Sequence, residues 1–283
     1  MPAFDPRLTP ARADLAAKEL KGKVTAARYV EGHAREVIEP QTPLRLDPSP
    51  EAPLATEALK GERVTIYDTN GEGWAWGQLA ADGYVGWLPA NALTAPGASP
   101  THKVVSLRTF VFPVPSIKAP PLEALPFGSR LVVARSEGDF AMTASGAFVP
   151  AVHLAPIRAH ETDFVSVAER FVGAPYLWGG KTMLGLDCSG LVQIALTACG
   201  IACPRDSDMQ EQALGMAVET SDPQRGDLYF WKGHVGIARD RASLLHANAF
   251  HMAVAIEPIA DAIARIRASG AQLSSIRRLG GGL

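Results

Sequence analysis

Cysteine is scarce in this 283-residue chain, with three in all, at Cys188, Cys199 and Cys203. A small odd number excludes a disulfide-built scaffold and suits a reducing compartment. Charge of one sign is missing too. Lys and Arg total 27 against 29 Asp and Glu, and no long basic run occurs, so nucleic acid is not an expected partner. No stretch approaches the roughly 18 consecutive apolar residues of a membrane-spanning helix. Met1-Pro2-Ala3-Phe4-Asp5 lacks a basic region followed by an apolar one. No signal peptide is read there, and a cytoplasmic location is expected. Metal-ligand spacings are also absent, so no cofactor or metal is expected. Cys199 and Cys203 have no second ligand pair and read as packing residues behind an apolar helix face. Asp68-Thr-Asn70-Gly-Glu72-Gly73 begins like a calcium loop. Its twelfth position is Leu79 and strands flank it, so it reads as a hairpin turn.

What is present is enough apolar material, 47% of residues, for a sizeable core. The length suggests two or three domains. Residues 1–22 read as an N-terminal arm with one helical stretch, Ala11 to Leu20, stopped at Gly22. Residues 23–97 hold short β-prone runs: Val24–Tyr29, Arg35–Ile38, Arg63–Tyr67, Trp74–Leu79 and Tyr84–Leu88. Asn70-Gly71 and Asp82-Gly83 are hairpin-turn dipeptides between them, which predicts a small barrel. The Pro/Gly/Ser stretch from Ala95 to Pro100 is a linker by composition. Residues 98–157 repeat the style, with Lys103–Val111, Arg130–Ala134, Phe140–Thr143 and Phe148–Val149, and predict a second barrel. Residues 158–283 change to helices followed by strands, an α+β pattern. Thr162 or Asp163 can cap a helix with an apolar face of Phe164, Val167, Ala168 and Phe171. Leu228–Trp231, Val235–Arg239 and Leu244–Ala247 read as consecutive strands, and Pro258 opens a helix that Gly270 closes.

Chemistry concentrates around Cys188, in Leu186-Asp187-Cys188-Ser189-Gly190 just before an apolar helix. Asp187 is a plausible N-cap, which puts the thiol in the first helical turn. There the helix dipole and free N–H groups favour thiolate and could serve as an oxyanion hole. Gly190 would keep the backbone open to a substrate. His234 and His246 flank a turn near Asp240. A hairpin centred on Asp240 pairs them directly and stacks the two imidazoles, giving a nucleophile, a base and an orienting group. His251 is a competitor for the third role.

These residues resemble the NlpC-type cell-wall cysteine peptidases. The likeness runs over residues 160–283 through Pro175-Tyr176-Leu-Trp178-Gly-Gly180, Leu186-Asp-Cys188-Ser-Gly-Leu191, Pro204-Arg-Asp-Ser207, Arg225-Gly-Asp-Leu228, Gly233-His-Val-Gly-Ile237 and His246-Ala247. The resemblance implies a papain-like α+β domain behind two small SH3-like β-barrels. It implies Cys188 as nucleophile, His234 as base and His246 as the residue orienting it. The implied reaction is hydrolysis of the γ-D-glutamyl–diamino-acid bond of murein tripeptides or tetrapeptides. Tyr176, Trp178, Asp187 and Ser189 are implied to meet the substrate. Trp74–Trp76 and Asp82-Gly-Tyr84-Val-Gly-Trp87 look like a bacterial SH3-like module, and paired modules of this kind resemble the dipeptidyl-peptidase branch. That branch implies a free N-terminal L-Ala on the substrate, release of L-Ala-γ-D-Glu, and a role in wall recycling. The first barrel is expected to close one end of the cleft. Asp206 and Ser207 would hold the substrate's amino end, with Tyr84 or Glu62 adding a contact. Two alternatives stay open: an acyltransferase or amidase using the same Cys-His centre, and a peptidoglycan-binding adaptor built on the SH3-like modules.

Overall fold

The structure, a computed structural model, describes residues 4–219 and 222–280. Residues 1–3 of the expected arm, and with them most of the Met1–Asp5 stretch, lie outside the described residues, as do residues 281–283. Contacts divide the chain into two compact units, Met1–Arg158 and Ala159–Leu283.

The first unit is built from short antiparallel strands. A seven-stranded sheet runs in the order Leu54–Leu59, Gln41–Arg45, Val85–Pro89, Trp74–Leu79, Arg63–Thr69, His33–Val37, Leu93–Thr94. Both expected turns form. Thr69 pairs with Ala75, and Asn70 Oδ1 accepts the Glu72 and Trp74 N–H groups. Gly83 takes a left-handed φ of 77°, which lets the chain reverse so that Gln78 faces Val85. Val37, Leu44, Val64, Leu79, Tyr84 and Leu88 fill the core. Three smaller sheets follow between His102 and Pro156, around Val104, Val111, Leu125, Leu131 and Val149. Strands of two of them join the end of the Leu54–Leu59 strand: Arg130 N–H donates to the Lys60 carbonyl at 2.8 Å, and Lys60 pairs with Glu123.

The helix expected over Ala11–Leu20 is absent. Leu15–Ala17 is a strand paired in parallel with Arg28–Val30, followed by one 3₁₀ turn, Lys18–Leu20. Tertiary contacts override local propensity here. Leu15 packs against Trp76, Val85 and Trp87, and the Arg12 guanidinium lies over the Trp76 and Trp87 rings, at 4.5 and 4.8 Å. A helix would remove these three consecutive buried residues, Leu15 to Ala17, from their extended pairing.

The second unit places helices against a six-stranded sheet. Asp163 caps α1 (Phe164–Glu169), its Oδ1 accepting the N–H groups of Val165 and Ser166. α2 (Cys188–Ala198) presents a nearly continuous buried surface, and α3 (Ser207–Ala213) and α4 (Ile259–Ala268) complete the set. The sheet order is Met216–Ala217, Leu273–Arg278, Leu228–Trp231, His234–Ala238, Ser243–Asn248, Ala253–Pro258. The three expected strands are its centre. The three beyond them, Met216–Ala217, Ala253–Pro258 and Leu273–Arg278, went unread in the sequence. α2 packs on His234–Ala238 and Ser243–Asn248, so the start of a helix and the start of a strand meet at one place.

Candidate active site

Two buried frameworks define this place. The first surrounds Cys188. Asp187 caps α2 by accepting the Gly190 N–H at 2.7 Å. It also accepts the Gly179 N–H at 2.8 Å and both terminal nitrogens of Arg205, at 2.9 and 2.8 Å. Arg205 further donates to Ser189 Oγ and to the Gly180 carbonyl, and is only 1% exposed. Asp187 and Ser189 are buried, and their side chains help hold the helix start to the Gly179–Gly180 turn. Gly190 allows this close packing. A Cβ there would sit 2.5 Å from the Gly180 carbonyl oxygen and 3.0 Å from Asp187 Oδ1.

The thiol at the start of α2 is buried, and backbone hydrogen bonds from Val235 and Ser189 favour its anion. Burial, joined by the Asp187 charge, outweighs them and pushes the thiol up to about 12. Desolvation and a neighbouring carboxylate therefore work against the expected thiolate, although helix-end N–H groups are present. The Val235 contact also fixes proximity, since Val235 directly follows His234.

The second framework is a line of rings and charges. His234 Nε2 and His246 Nδ1 share a hydrogen bond of 2.9 Å. His246 Nε2 lies 2.7 Å from Glu257 Oε1, and Glu257 is ion-paired with Arg265. The rings do not stack; their centroids are 5.1 Å apart and their planes 59° apart. The hairpin register also differs from the expected one. Ile237 faces Leu245 and Ala238 faces Leu244, so the turn is centred one residue later, near Arg241, and the histidines are diagonal neighbours. The slip is two residues in register, and because strand side chains alternate, both imidazoles keep the same face. Burial, with the neighbouring His246 and Arg265, pulls His234 down to about 3. Burial pulls His246 down to about 4 against the opposing pull of Glu257. Both imidazoles rest neutral, as a proton acceptor requires.

Around this pair, Tyr176 is half-buried. Burial first, then the nearby Cys188 and Asp187, raise its phenol well above the usual range. Trp178 stands 66% exposed. Asp206 precedes α3 as its N-cap residue but makes no side-chain capping bond, and it is partly exposed. Ser207 is buried in the first turn. Tyr84 and Glu62 lie in the other unit: Tyr84 is in the sheet core, and Glu62 is buried with its carboxylate accepting the Leu59 N–H. His251 bonds Asn248 through Nδ1 at 3.0 Å and leaves the third position to His246. Among the described residues, His246, His251 and Glu257 could each offer a ligand atom to a metal within 4.8 Å of the others. The His246–Glu257 hydrogen bond and the Arg265 guanidinium already engage His246 and Glu257, and His251 Nδ1 is bonded to Asn248.

Glu257 and Arg265 were missed in the sequence. The available signal was the alternation Ala253-Val-Ala-Ile-Glu257 before Pro258. As a strand it sets Ala255 opposite His246 and puts Glu257 on the same face two residues on.

A cysteine at a helix start beside a hydrogen-bonded histidine pair is the equipment of a thiol hydrolase. Residues 173–271 match the NlpC/P60 family, and residues 44–93 match the bacterial dipeptidyl-peptidase Sh3 domain. The gamma-D-glutamyl-L-lysine dipeptidyl-peptidase of Bacillus cereus is 28% identical over 246 residues, covering 73% of this chain and 71% of that one. Dipeptidyl-peptidase 6 of Lysinibacillus sphaericus is 27% identical over 235 residues, covering 75% of this chain and 86% of its own. A crystal structure of an NlpC/P60 family protein from Bacillus cereus superposes with a TM-score of 0.75 at 22% identity, over 87% of this chain and 99% of that one, which shows a shared fold. The protein is a cysteine peptidase. It carries an NlpC/P60 domain over residues 173–271, with a dipeptidyl-peptidase-type SH3 domain over residues 44–93 ahead of it. Among the described residues, no helix is long and apolar enough to cross a membrane.

Proposed function

We propose that this peptidoglycan peptidase hydrolyses the γ-D-glutamyl–diamino-acid bond of murein stem peptides that carry a free N-terminal L-Ala, releasing L-Ala-γ-D-Glu in cytoplasmic wall recycling. Cys188 is the nucleophile, His234 the base and His246 its orienting partner, in a papain-like catalytic domain at 158–283 behind SH3-like modules at 23–97 and 98–157. The observation that carries this reading is the 2.9 Å His234–His246 hydrogen bond beside a sulfur that accepts the Val235 N–H.

The resting pair is neutral, so attack and proton transfer go together. The Cys188 proton passes to His234 as the sulfur electron pair forms the bond to the γ-glutamyl carbonyl carbon. The tetrahedral oxyanion collapses, the carbon–nitrogen bond breaks, and His234 returns its proton to the leaving amine. Water, deprotonated by His234, then releases the dipeptide from the thioester. Moving the proton directly between neighbours avoids an isolated buried charge. Asp206 supplies the carboxylate for the substrate's ammonium, a charge-assisted contact. The names of the dipeptidyl-peptidase relatives support the bond and the exopeptidic cut.

The test is turnover of L-Ala-γ-D-Glu-L-Lys followed by mass spectrometry. Wild type releases the dipeptide and free lysine, and Cys188→Ala does not. N-acetylation of the substrate and Asp206→Ala each lower kcat/KM at least about tenfold, the loss of one charge-assisted contact. Equal rates on free and acetylated tripeptide, or transfer to an added amine in place of hydrolysis, overturn the reading.

A further inference from the structure

We infer that Glu257 is a fourth, positioning member of the Cys188–His234–His246 line, selecting the one histidine tautomer in which His234 can act as a base, and that Arg265 holds Glu257 in the form that does so. This rests on the catalytic roles proposed above.

A neutral imidazole has one N–H and one lone pair, whereas an ionised carboxylate only accepts. Glu257 Oε1 lies 2.7 Å from His246 Nε2, so that nitrogen must carry the proton. His246 Nδ1 is then a lone pair. It faces His234 Nε2 at 2.9 Å, so Nε2 of His234 must be the donor. The remaining ring nitrogen, His234 Nδ1, is left as the unprotonated acceptor for the thiol proton. Without the carboxylate, the same 2.9 Å bond can run in reverse, from His246 Nδ1–H to His234 Nε2. His234 Nδ1 would then already hold a proton and could not take another. Geometry alone does not distinguish the two directions; the charge at the end of the line does.

Arg265 keeps that end in its accepting form. Burial works against the Glu257 anion, but the Arg265 and His246 hydrogen bonds hold its carboxyl below the ordinary range. The guanidinium is itself stacked over the Phe250 ring at 4.4 Å. The groups facing His246 are His234 from its neighbouring strand, Glu257 from the next strand, Arg265 from α4 and His251 from the loop between. Glu257 is the only anion in that set. The His246 side chain is fully buried and that of Glu257 11% exposed, so water competes weakly for this bond.

The tests are Glu257→Gln and Arg265→Gln, the first nearly isosteric. An amide donates as well as accepts, so Glu257→Gln no longer dictates the tautomer. In a Ser-His-Asp triad the corresponding change costs about 10⁴ in kcat. One ring further from the nucleophile, we expect a fall of about ten- to a hundred-fold in kcat on the tripeptide with KM unchanged. The acid limb of kcat/KM, set by protonation of the histidine pair, moves to lower pH because the carboxylate no longer favours imidazolium. Glu257→Asp, which keeps the charge, recovers part of the rate, and Arg265→Gln loses several-fold. Nitrogen-15 NMR of the histidines in full-length Cys188→Ala protein gives a readout independent of turnover. His234 and His246 should both be protonated at Nε2, with Nδ1-protonated forms appearing when Glu257→Gln is added. A His246 protonated at Nδ1 in the parent protein, or a Glu257→Gln variant with unchanged tautomers and kcat, overturns the inference. If wild type fails to cleave the tripeptide, the substrate reading falls while the NMR result still decides the tautomer.

Discussion

Two carboxylate–guanidinium pairs flank Cys188 and the imidazole pair, one buried and one partly exposed, and they differ in kind. Asp187–Arg205 sits under the sulfur with its partners almost wholly inside the protein, tying the start of α2, the Gly179–Gly180 turn and Ser189 together. Its cost is visible at the thiol, whose ionisation the Asp187 charge opposes. Glu257–Arg265 sits behind the imidazoles, is partly open to solvent, and touches one reacting partner through one nitrogen of His246. The first pair holds backbone in place; the second sets where a proton resides. An ion pair beside an active centre therefore need not act on the chemistry, and its burial and its list of partners tell which role it has.

The sharpest way to break this contrast is to remove each arginine. Arg205→Met leaves the Asp187 carboxylate buried and uncompensated, at a cost of about 3–5 kcal/mol, enough to unfold the catalytic domain or nearly so. Urea or thermal unfolding measures it. Arg265→Met should cost about 1 kcal/mol or less, since a partly exposed pair is worth little, while turnover still falls. Equal losses of stability in the two variants would erase the distinction. Next in size is Gly190→Ala, whose methyl group would be driven against the Gly180 carbonyl and Asp187. We expect about 1–3 kcal/mol of destabilisation together with reduced kcat, read by denaturation and tripeptide turnover. A small effect is also expected at a cap remote from the sulfur. Asp163→Ala removes the α1 cap and its pairing with Arg225, for about 1 kcal/mol at pH 7. Burial opposes the Asp163 anion, but Ser166 and Arg225 prevail and lower its carboxyl from 3.8 to about 2. A depressed acid stabilises above its unfolded pKa. The difference between wild type and variant should therefore be full at neutral pH and shrink as pH falls from about 4 towards 2. A difference that grows on acidification would contradict the assignment.

Much of this was legible in the residues. The Asp187 cap, the helix after Cys188, the Asp163 cap, both hairpin turns and the central strands each follow from local patterns read within a few positions. The Arg205 pairing with a carboxylate was expected, though not that the carboxylate would be the Asp187 cap itself. The errors share a cause. Leu15–Ala17 looks helical alone but is held extended by Trp76 and Trp87, some sixty to seventy residues away in the chain. The thiolate expected from a helix start was outweighed by burial, which local sequence does not report. Glu257 was invisible because its partner is set by strand register rather than by spacing.

The amino-acid sequence alone offered the groups that could react: one cysteine after a capping aspartate, and two histidines whose even separation puts them on one strand face when the loop between them has an odd number of residues. The register differs from the expected one by two residues, which preserves that face; a slip of one residue would have turned one imidazole away. Only the tertiary structure decided which nitrogen bears each proton, whether the sulfur rests charged, and which carboxylates are spent on the scaffold. Those outcomes depend on desolvation and on contacts between distant strands, and neither exists until the chain has packed.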